Sequence, residues 1–451
     1  MTRDEVNINN VESTQGGLYD EVWIGQYPPI PKMPFFQFNY LDSSFRSPAS
    51  YQGKFSNVYY FEKNIAASRF WPLILDECFN LISPSGGTLH LKFLATHFLT
   101  SARLKNFIFT RFGQNVQLLD ENVFEDGYTQ ISINLKRNLF QISDAWSFGV
   151  INHNNSVKIV EFYESVVEAK NRPEFEFLVY GDEIESISDK TGVRFLKMPS
   201  YSDESDINFS LVKNFLVQNM KFQNILFADD PISIDSDFFT GFSNFGYGFS
   251  FVSIKTETMS GSRYLDWLTV GLTWLTNSKS LLAYDNYVED AFCLNGIFIA
   301  KREILIKNEW NHLIFSSKDG DFELSKRLYH DGIPLRLNIS SKATILSDHG
   351  NSTPLPVLKF DPHTTRYPYS ENLKYIGFTD VTGKEYSIRR VTILMRINYL
   401  AKKILFKVIK FLYLLNKKYV YPLMKQFFSQ RAPLIVWYLK KVHYLFLAKR
   451  K

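Results

Sequence analysis

Four apolar residues, Ile225–Ala228, run directly into Asp229, Asp230 and Pro231. Adjacent carboxylates at the end of a buried-type strand are hard oxygen donors, the kind that hold Mg2+ or Mn2+ together with substrate phosphates. Pro231 stops the strand and helps fix the direction of both side chains. Asp is also favoured in strand-end turns, so taken alone the pair reads more simply as a turn. Three further segments change the balance. Cys293–Ala300 is strand-like with Asn295-Gly296 inside it, as if backbone had to approach a ligand closely. Lys318-Asp319-Gly320-Asp321 leads into a helix expected over Phe322–Tyr329, with Asp321 at or near its cap. The strand-like Ala343–Leu346 is followed by Ser347-Asp348-His349-Gly350.

The elements around these residues alternate. Strands are expected at Trp146–Val150, Phe175–Tyr180, Val193–Met198 and Asn224–Ala228, with helices at Val157–Val167 and Ile207–Gln218 between them. Leu211, Phe215 and Leu216 share one side of the last helix. Such alternation indicates a mostly parallel, doubly wound α/β sheet with ligands at the carboxyl ends of the strands.

Over about 145–352 the chain resembles GT-A glycosyltransferases, most nearly the family 2 type that uses nucleotide-diphosphate sugars. ILFADDP (Ile225–Pro231) stands where that family has its strand-end aspartate motif, and GDFELSKRL (Gly320–Leu328) is similar to its Glu-Asp followed by Glu-Leu-Ser at a helix start. The resemblance implies a Mn2+ or Mg2+ cofactor, with Asp230 as metal ligand and Asp229 as a metal or ribose contact. It implies Asp321 as catalytic base and His349 as a further metal or diphosphate ligand. Asn152, Asp182 and Lys213 would line the nucleotide pocket. Plainer readings stand beside these: a helix cap for Asp321, a loop histidine for His349, a surface turn for Asp182 and the wet face of a helix for Lys213. The family's glutamate before the base is replaced here by Gly320, which bears on the acceptor contact. Asp285 and Glu289 precede the Asn295 segment and could face the acceptor.

Upstream, residues 1–35 read as irregular. Strands are expected at Asn57–Phe61 and Gly87–Phe93, helices at Trp71–Leu81 and Ala102–Phe109, and a closing strand pair near Val116–Leu119 and Gln130–Leu135. This order resembles the second half of a class I methyltransferase sheet. A glycine-rich cofactor loop would have to lie where only Gly16, Gly17, Gly25 and Gly53 occur. Half of such a sheet cannot form an adenosine cleft, so a structural or docking role is expected for residues 1–140.

Two cysteines, Cys78 and Cys293, are too few for a disulfide framework and fit a reducing compartment. The N-terminus lacks the apolar core of a signal peptide, and no run of eighteen apolar residues is free of charge. The formal net charge of +5 is unevenly spread: residues 389–451 carry sixteen Lys or Arg and no acid. The same stretch is rich in Leu, Ile, Phe, Tyr and Trp, and Pro422 and Pro433 divide it. Basic amphipathic helices of this composition suit an anionic membrane surface; a protein partner is the next reading. Nucleic acid is disfavoured by the apolar content and the lack of a recognition motif. The expected organisation is a truncated methyltransferase-like domain (1–140), a GT-A domain (141–355), a linker (356–388) and the membrane-associating region (389–451).

The function expected from these elements is metal-dependent, inverting transfer of a sugar from a nucleotide-diphosphate donor to a hydroxyl of a lipid-linked or polysaccharide acceptor. Its expected setting is surface glycan synthesis at the cytoplasmic face of the inner or plasma membrane. The alternatives are a bifunctional methyltransferase–glycosyltransferase and a non-catalytic carbohydrate-processing scaffold.

Overall fold

The computed structural model describes residues 20–25, 28–29, 33–38, 45–61, 64–96, 98–137, 142–152, 155–198, 207–270, 279–289, 291–346, 355, 357–358, 376–379 and 385–386. By its contacts the chain divides into two compact units, Met1–Tyr386 and Ser387–Lys451. The basic C-terminal region and His349 lie outside the described residues.

The first sheet contains β1 (Glu21–Ile24), β2 (Phe35–Phe36), β3 (Asn57–Tyr60), β4 (Gly87–Leu94), β5 (Val116–Val123) and β6 (Tyr128–Leu135). Its order is β2-β1-β3-β4-β6-β5. The first four strands are parallel, and the β5–β6 hairpin closes one edge with β6 antiparallel to β4. Helix α1 (Trp71–Leu81) connects β3 to β4, and α2 (Ser101–Phe112) connects β4 to β5. The strands expected here are present. The expectation of an irregular N-terminus fails at Glu21–Ile24: this four-residue segment becomes a strand by pairing with β3, a tertiary cause that its own sequence hides.

Further along come β7 (Trp146–Ile151), α3 (Ser156–Glu168), β8 (Phe175–Tyr180), α4 (Glu185–Ser188), β9 (Val193–Leu196), α5 (Phe209–Asn219), β10 (Asn224–Ala228) and β11 (Ile232–Ile234). Then follow α6 (Phe238–Phe245), β12 (Phe251–Thr258), β13 (Leu268–Val270), β14 (Lys279–Leu282), β15 (Ile297–Lys301), α7 (Arg302–Lys307), α8 (Ser317–His330) and β16 (Arg336–Ile345). Eight of these strands form the second sheet, in the order β11-β16-β12-β15-β10-β7-β8-β9. The run β10-β7-β8-β9 is parallel, as the alternation of elements predicts. Beyond β10 the sheet is mixed, with β15 antiparallel to β10 and to β12. Its interior is aromatic: Trp146 packs against Phe242 with ring centroids 4.7 Å apart, and Phe148, Phe162, Phe177 and Phe238 join the same core. Gly149 leaves the room that the ring of Phe227 fills, since a Cβ there would lie 2.5 Å from it. Within the stretch 356–388, β17 (Val357–Leu358), β18 (Ile376–Thr379) and β19 (Glu385–Tyr386) form a third sheet with β13 and β14.

Helix α1 is buried on every side, and its two acidic residues are neutralised in the interior. Glu77 accepts from Arg46 Nη1 at 2.5 Å and pairs with Arg336 Nη2 at 2.9 Å. It also accepts from the backbone N–H and hydroxyl of Ser47. Asp76 pairs with Arg111 at 2.8 Å, and Arg111 also donates to Ser250 Oγ. Arg336 belongs to β16 and donates as well to the carbonyls of Phe45 and Leu73. Charged groups buried in pairs therefore join the first sheet to the second, although Arg336 Nε has no hydrogen-bond partner among the described residues.

Candidate functional site

The parallel strands of the second sheet end along one edge. Ala228 pairs with Val150, and Ile151 pairs with Tyr180. Asp229-Asp230, Asn152 and Gly181-Asp182 therefore leave their strands side by side.

On the far side of β10, Ala228 pairs with Ile297 of β15, which lays Asn295-Gly296 against the two aspartates. The Asp229 N–H donates to the Gly296 carbonyl at 2.8 Å. Gly296 has φ +74°, a left-handed conformation that disfavours side chains, and a Cβ there would sit 3.7 Å from Asp230 Oδ2. Asn295 holds this corner by donating to Thr256 Oγ1 at 2.7 Å. Asn295-Gly296 thus lies in a bend just before β15, not inside a strand as expected, and it brings backbone up to the carboxylates.

Helix α8 begins at Ser317, one turn earlier than expected. The hydroxyl of Ser316 caps it by accepting from Asp319 N, so Asp321 lies inside the helix and is not its cap. Gly320 is buried against α5, where a Cβ would lie 3.1 Å from Ser210 Oγ and 3.5 Å from the Trp310 ring. The close approach of two helices accounts for glycine at this position.

Helix α5 starts at the cap Asn208 and carries Lys213 into the interior, 1% exposed. Lys213 Nζ lies 2.9 Å from Asp229 Oδ1, 2.8 Å from Asp321 Oδ1 and 2.8 Å from Ser317 Oγ. Ser317 Oγ donates in turn to Asp229. The Trp310 indole donates to Asp321 Oδ1 at 2.8 Å, so both donors to Asp321 reach the same oxygen and neither reaches Oδ2. Asn214 exchanges two 2.8 Å hydrogen bonds with the Trp310 backbone, fixing α5 against the segment before α8. Burial opposes the Lys213 charge, but Asp229 and Asp321 outweigh it and hold its pKa above the ordinary lysine value. Burial pushes Asp321 up to about 7 against the pull of Lys213, and Asp229 adds to the rise.

Asp230 is half-buried. Tyr264 stands near it: burial raises the Tyr264 pKa, Lys318 lowers it through charge and a hydrogen bond, and Asp230 raises it. At the other end of the edge, Asn152 Nδ2 donates to the Asp182 carbonyl at 3.2 Å, and the exposed Asp182 carboxylate pairs with Lys197. Asn152 Oδ1 is buried with no hydrogen-bond partner among the described residues.

The structure thus brings Asp229, Lys213 and Asp321 into one cluster, with Asp230 at its rim and Asn152 and Asp182 further along the same edge. Glu289 stands elsewhere, accepting from Trp71 Nε1 at 3.0 Å and Arg103 Nη2 at 2.5 Å. The sequence reading missed Ser317 and Trp310 in the cluster, and Tyr264, which stands near Asp230 and hydrogen-bonds Lys318. Only the serines preceding Lys318 carried a signal, as helix-capping residues.

Among the described residues no group of three or more His, Cys, Asp or Glu could hold a metal ion. The donor chemistry fits a divalent ion in one way: Asp230 offers a single hard carboxylate, which suffices where substrate phosphates supply other ligands.

No protein-family model matches the chain, and no curated protein matches it significantly. Solved structures similar to it include S. aureus TarS 1-349, at 14% identity and TM-score 0.31, over 44% of this chain and 60% of that one. Another is the mannosyltransferase PcManGT from Pyrobaculum calidifontis with GDP-Man and Mn2+, at 10% identity and TM-score 0.32, over 46% and 58% of the two chains. A third is glucosyl-3-phosphoglycerate synthase from Mycobacterium tuberculosis with Mg2+ and UDP, at 15% identity and TM-score 0.28, over 44% and 70%. The chain spans about three fifths of the length of the first two.

Proposed function

We propose that this protein is a GT-A glycosyltransferase that takes a sugar from a nucleotide-diphosphate donor and transfers it to an acceptor hydroxyl with inversion. The observation that carries the reading is the convergence of Asp229, from the end of β10, and Asp321, from α8, on the single ammonium of Lys213. Distant segments meet at the strand-end edge where open α/β sheets bind ligands.

In this reading the nucleoside lies over Asn152 and Asp182, which follow the carboxyl ends of β7 and β8. The diphosphate lies near Asp230, with Lys318, hydrogen-bonded to Tyr264, to neutralise it. Asp230 would hold a Mn2+ or Mg2+ ion, which when bound stabilises negative charge on the leaving diphosphate. Asp321 is held at Oδ1 by Lys213 and Trp310, leaving Oδ2 to receive the acceptor's proton. The acceptor oxygen bonds to the anomeric carbon as the bond from that carbon to the diphosphate oxygen breaks. One displacement of this kind inverts the anomeric configuration.

The basic, apolar segment 389–451 supports docking on an anionic membrane at its cytoplasmic face. That setting suits a lipid-linked glycan acceptor. The first sheet, joined to the second through buried ion pairs, serves in this reading as structural support.

The test is calorimetric titration of the full chain with a panel of nucleoside diphosphates, with and without Mn2+, for wild type and Asp230→Asn. Metal-dependent binding of one of them, weakened in the variant, is expected. Failure of every nucleotide to bind the folded wild type refutes the proposal. Binding without transfer to any acceptor favours the scaffold alternative.

A further inference from the structure

The Lys213 ammonium sits where a bound cation would sit. Its Nζ lies 2.9 and 3.0 Å from the two carboxylate oxygens of Asp229, 2.8 Å from Asp321 Oδ1 and 2.8 Å from Ser317 Oγ. Four oxygen atoms from three residues thus surround one positive charge. Two carboxylates and a hydroxyl are also the ligand chemistry of a hard divalent ion. The lysine cannot easily swing away: it is 1% exposed, and the neighbouring Asn214 is locked to the Trp310 backbone. Asp229 is held additionally by Ser317, and Asp321 by the Trp310 indole. A metal ion seeking Asp229 would have to approach this ammonium at short range in a dry environment, where like charges repel strongly.

We propose that Lys213 is a built-in cation that closes Asp229 and Asp321 to divalent metal, so that an ion enters only together with a diphosphate, through Asp230. The second half of this statement rests on the nucleotide-diphosphate reading above; the first half stands on the cluster alone. Removing the charge from residue 213 therefore creates a metal site that the natural protein lacks. The free protein carries no metal, and ion and nucleotide bind as a pair.

Mn2+ alone is the probe, with its free paramagnetic signal followed as full-length protein is added without nucleotide. Wild type and Lys213→Arg are expected to leave the ion in solution. Lys213→Met is expected to take up one Mn2+ at least roughly tenfold more tightly, and adding Asp229→Asn should abolish that gain. Lys213→Gln provides a second test should Lys213→Met fail to fold, because it keeps a donor toward Asp321 while losing the charge. Tight Mn2+ binding by the nucleotide-free wild type overturns the proposal. So does the lack of any gain in a folded Lys213→Met or Lys213→Gln protein. A parallel titration of wild type with Mn2+ and nucleoside diphosphates separates the two levels. Uptake of Mn2+ only in the presence of a diphosphate supports both halves. If no diphosphate binds, the functional reading and the second half fall, and the nucleotide-free comparison still decides the first.

Discussion

Glu77→Gln is the perturbation that most directly tests whether the two large sheets form one cooperative body. Glu77 lies on α1 of the first sheet and is fully buried between Arg46 and Arg336, the latter on β16 of the second. Glutamine keeps the shape, removes the negative charge and turns an amide donor toward groups that already donate. Breaking a buried ion pair by removing one partner costs about 3–5 kcal/mol. Arg336 retains the carbonyls of Phe45 and Leu73 at 2.6 and 3.0 Å, which places the expected loss near the lower end, about 3 kcal/mol. Against a typical total of about 5–15 kcal/mol, that is a large fraction. Burial already lowers the Arg46 pKa to about 10 despite the opposing pull of Glu77; without that pull it should fall further. Urea unfolding of wild type and variant, followed by tryptophan fluorescence, gives the difference from the shift in midpoint at constant slope. A loss below about 1 kcal/mol would refute the reasoning, since it lies within the range of exposed ion pairs. Two separate transitions, with only the first displaced, would show that the sheets unfold independently.

Asp321→Asn should leave nucleotide-diphosphate affinity nearly unchanged while transfer falls by about 10²–10⁴-fold, the usual worth of a general base; normal transfer would exclude it from that role. The transfer rate of wild type should rise with pH and level off above about 7, as Asp321 loses its proton. Because the folded-state pKa of this acid is raised, its protonation stabilises the fold at low pH, and that contribution is lost as pH climbs from about 4 to about 7; stability that rises across this window would contradict it. Gly296→Ala should cost about 1–2 kcal/mol through its left-handed backbone, since the nearest atoms stand at ordinary contact distance, and it should weaken Mn2+-dependent nucleotide binding. Removing 389–451 should release the protein from anionic liposomes in a sedimentation assay; undiminished binding would exclude the segment as anchor.

The parallel core of the second sheet was legible because each of its strands is a short apolar run closed by a turn signal. Phe175–Tyr180 and Asn224–Ala228 have the boundaries read from the sequence, and α1 does as well. Elements defined by partners were harder. Glu21–Ile24 lacks a strand pattern of its own, and β12 carries Lys255 and Glu257 on a strand whose pairing with β16 shifts register. Asp229 and Asp321 could be picked out by type and position. Their meeting on Lys213 could not, because a lysine in an amphipathic helix looks solvated until another helix covers it. Gly320 looked like a departure from a motif, whereas in three dimensions it is the point where α8 touches Ser210. Asp76 and Glu77 gave no sign of burial, since their counter-charges Arg111, Arg46 and Arg336 come from other elements.

The bond between Arg336 and the carbonyl of Leu73 joins residues 263 positions apart. On a ribosome adding about 5–20 residues per second, α1 would be synthesised roughly ten to fifty seconds before β16 can supply that guanidinium. Until then Glu77 on the nascent α1 lacks one of its two arginines, and the second sheet is incomplete without β16. Hydrophobic surface left open for so long invites association with other unfinished chains. Production of the intact protein should therefore depend on chaperone capacity and on translation speed downstream of β6, even though the completed fold conceals every trace of that wait.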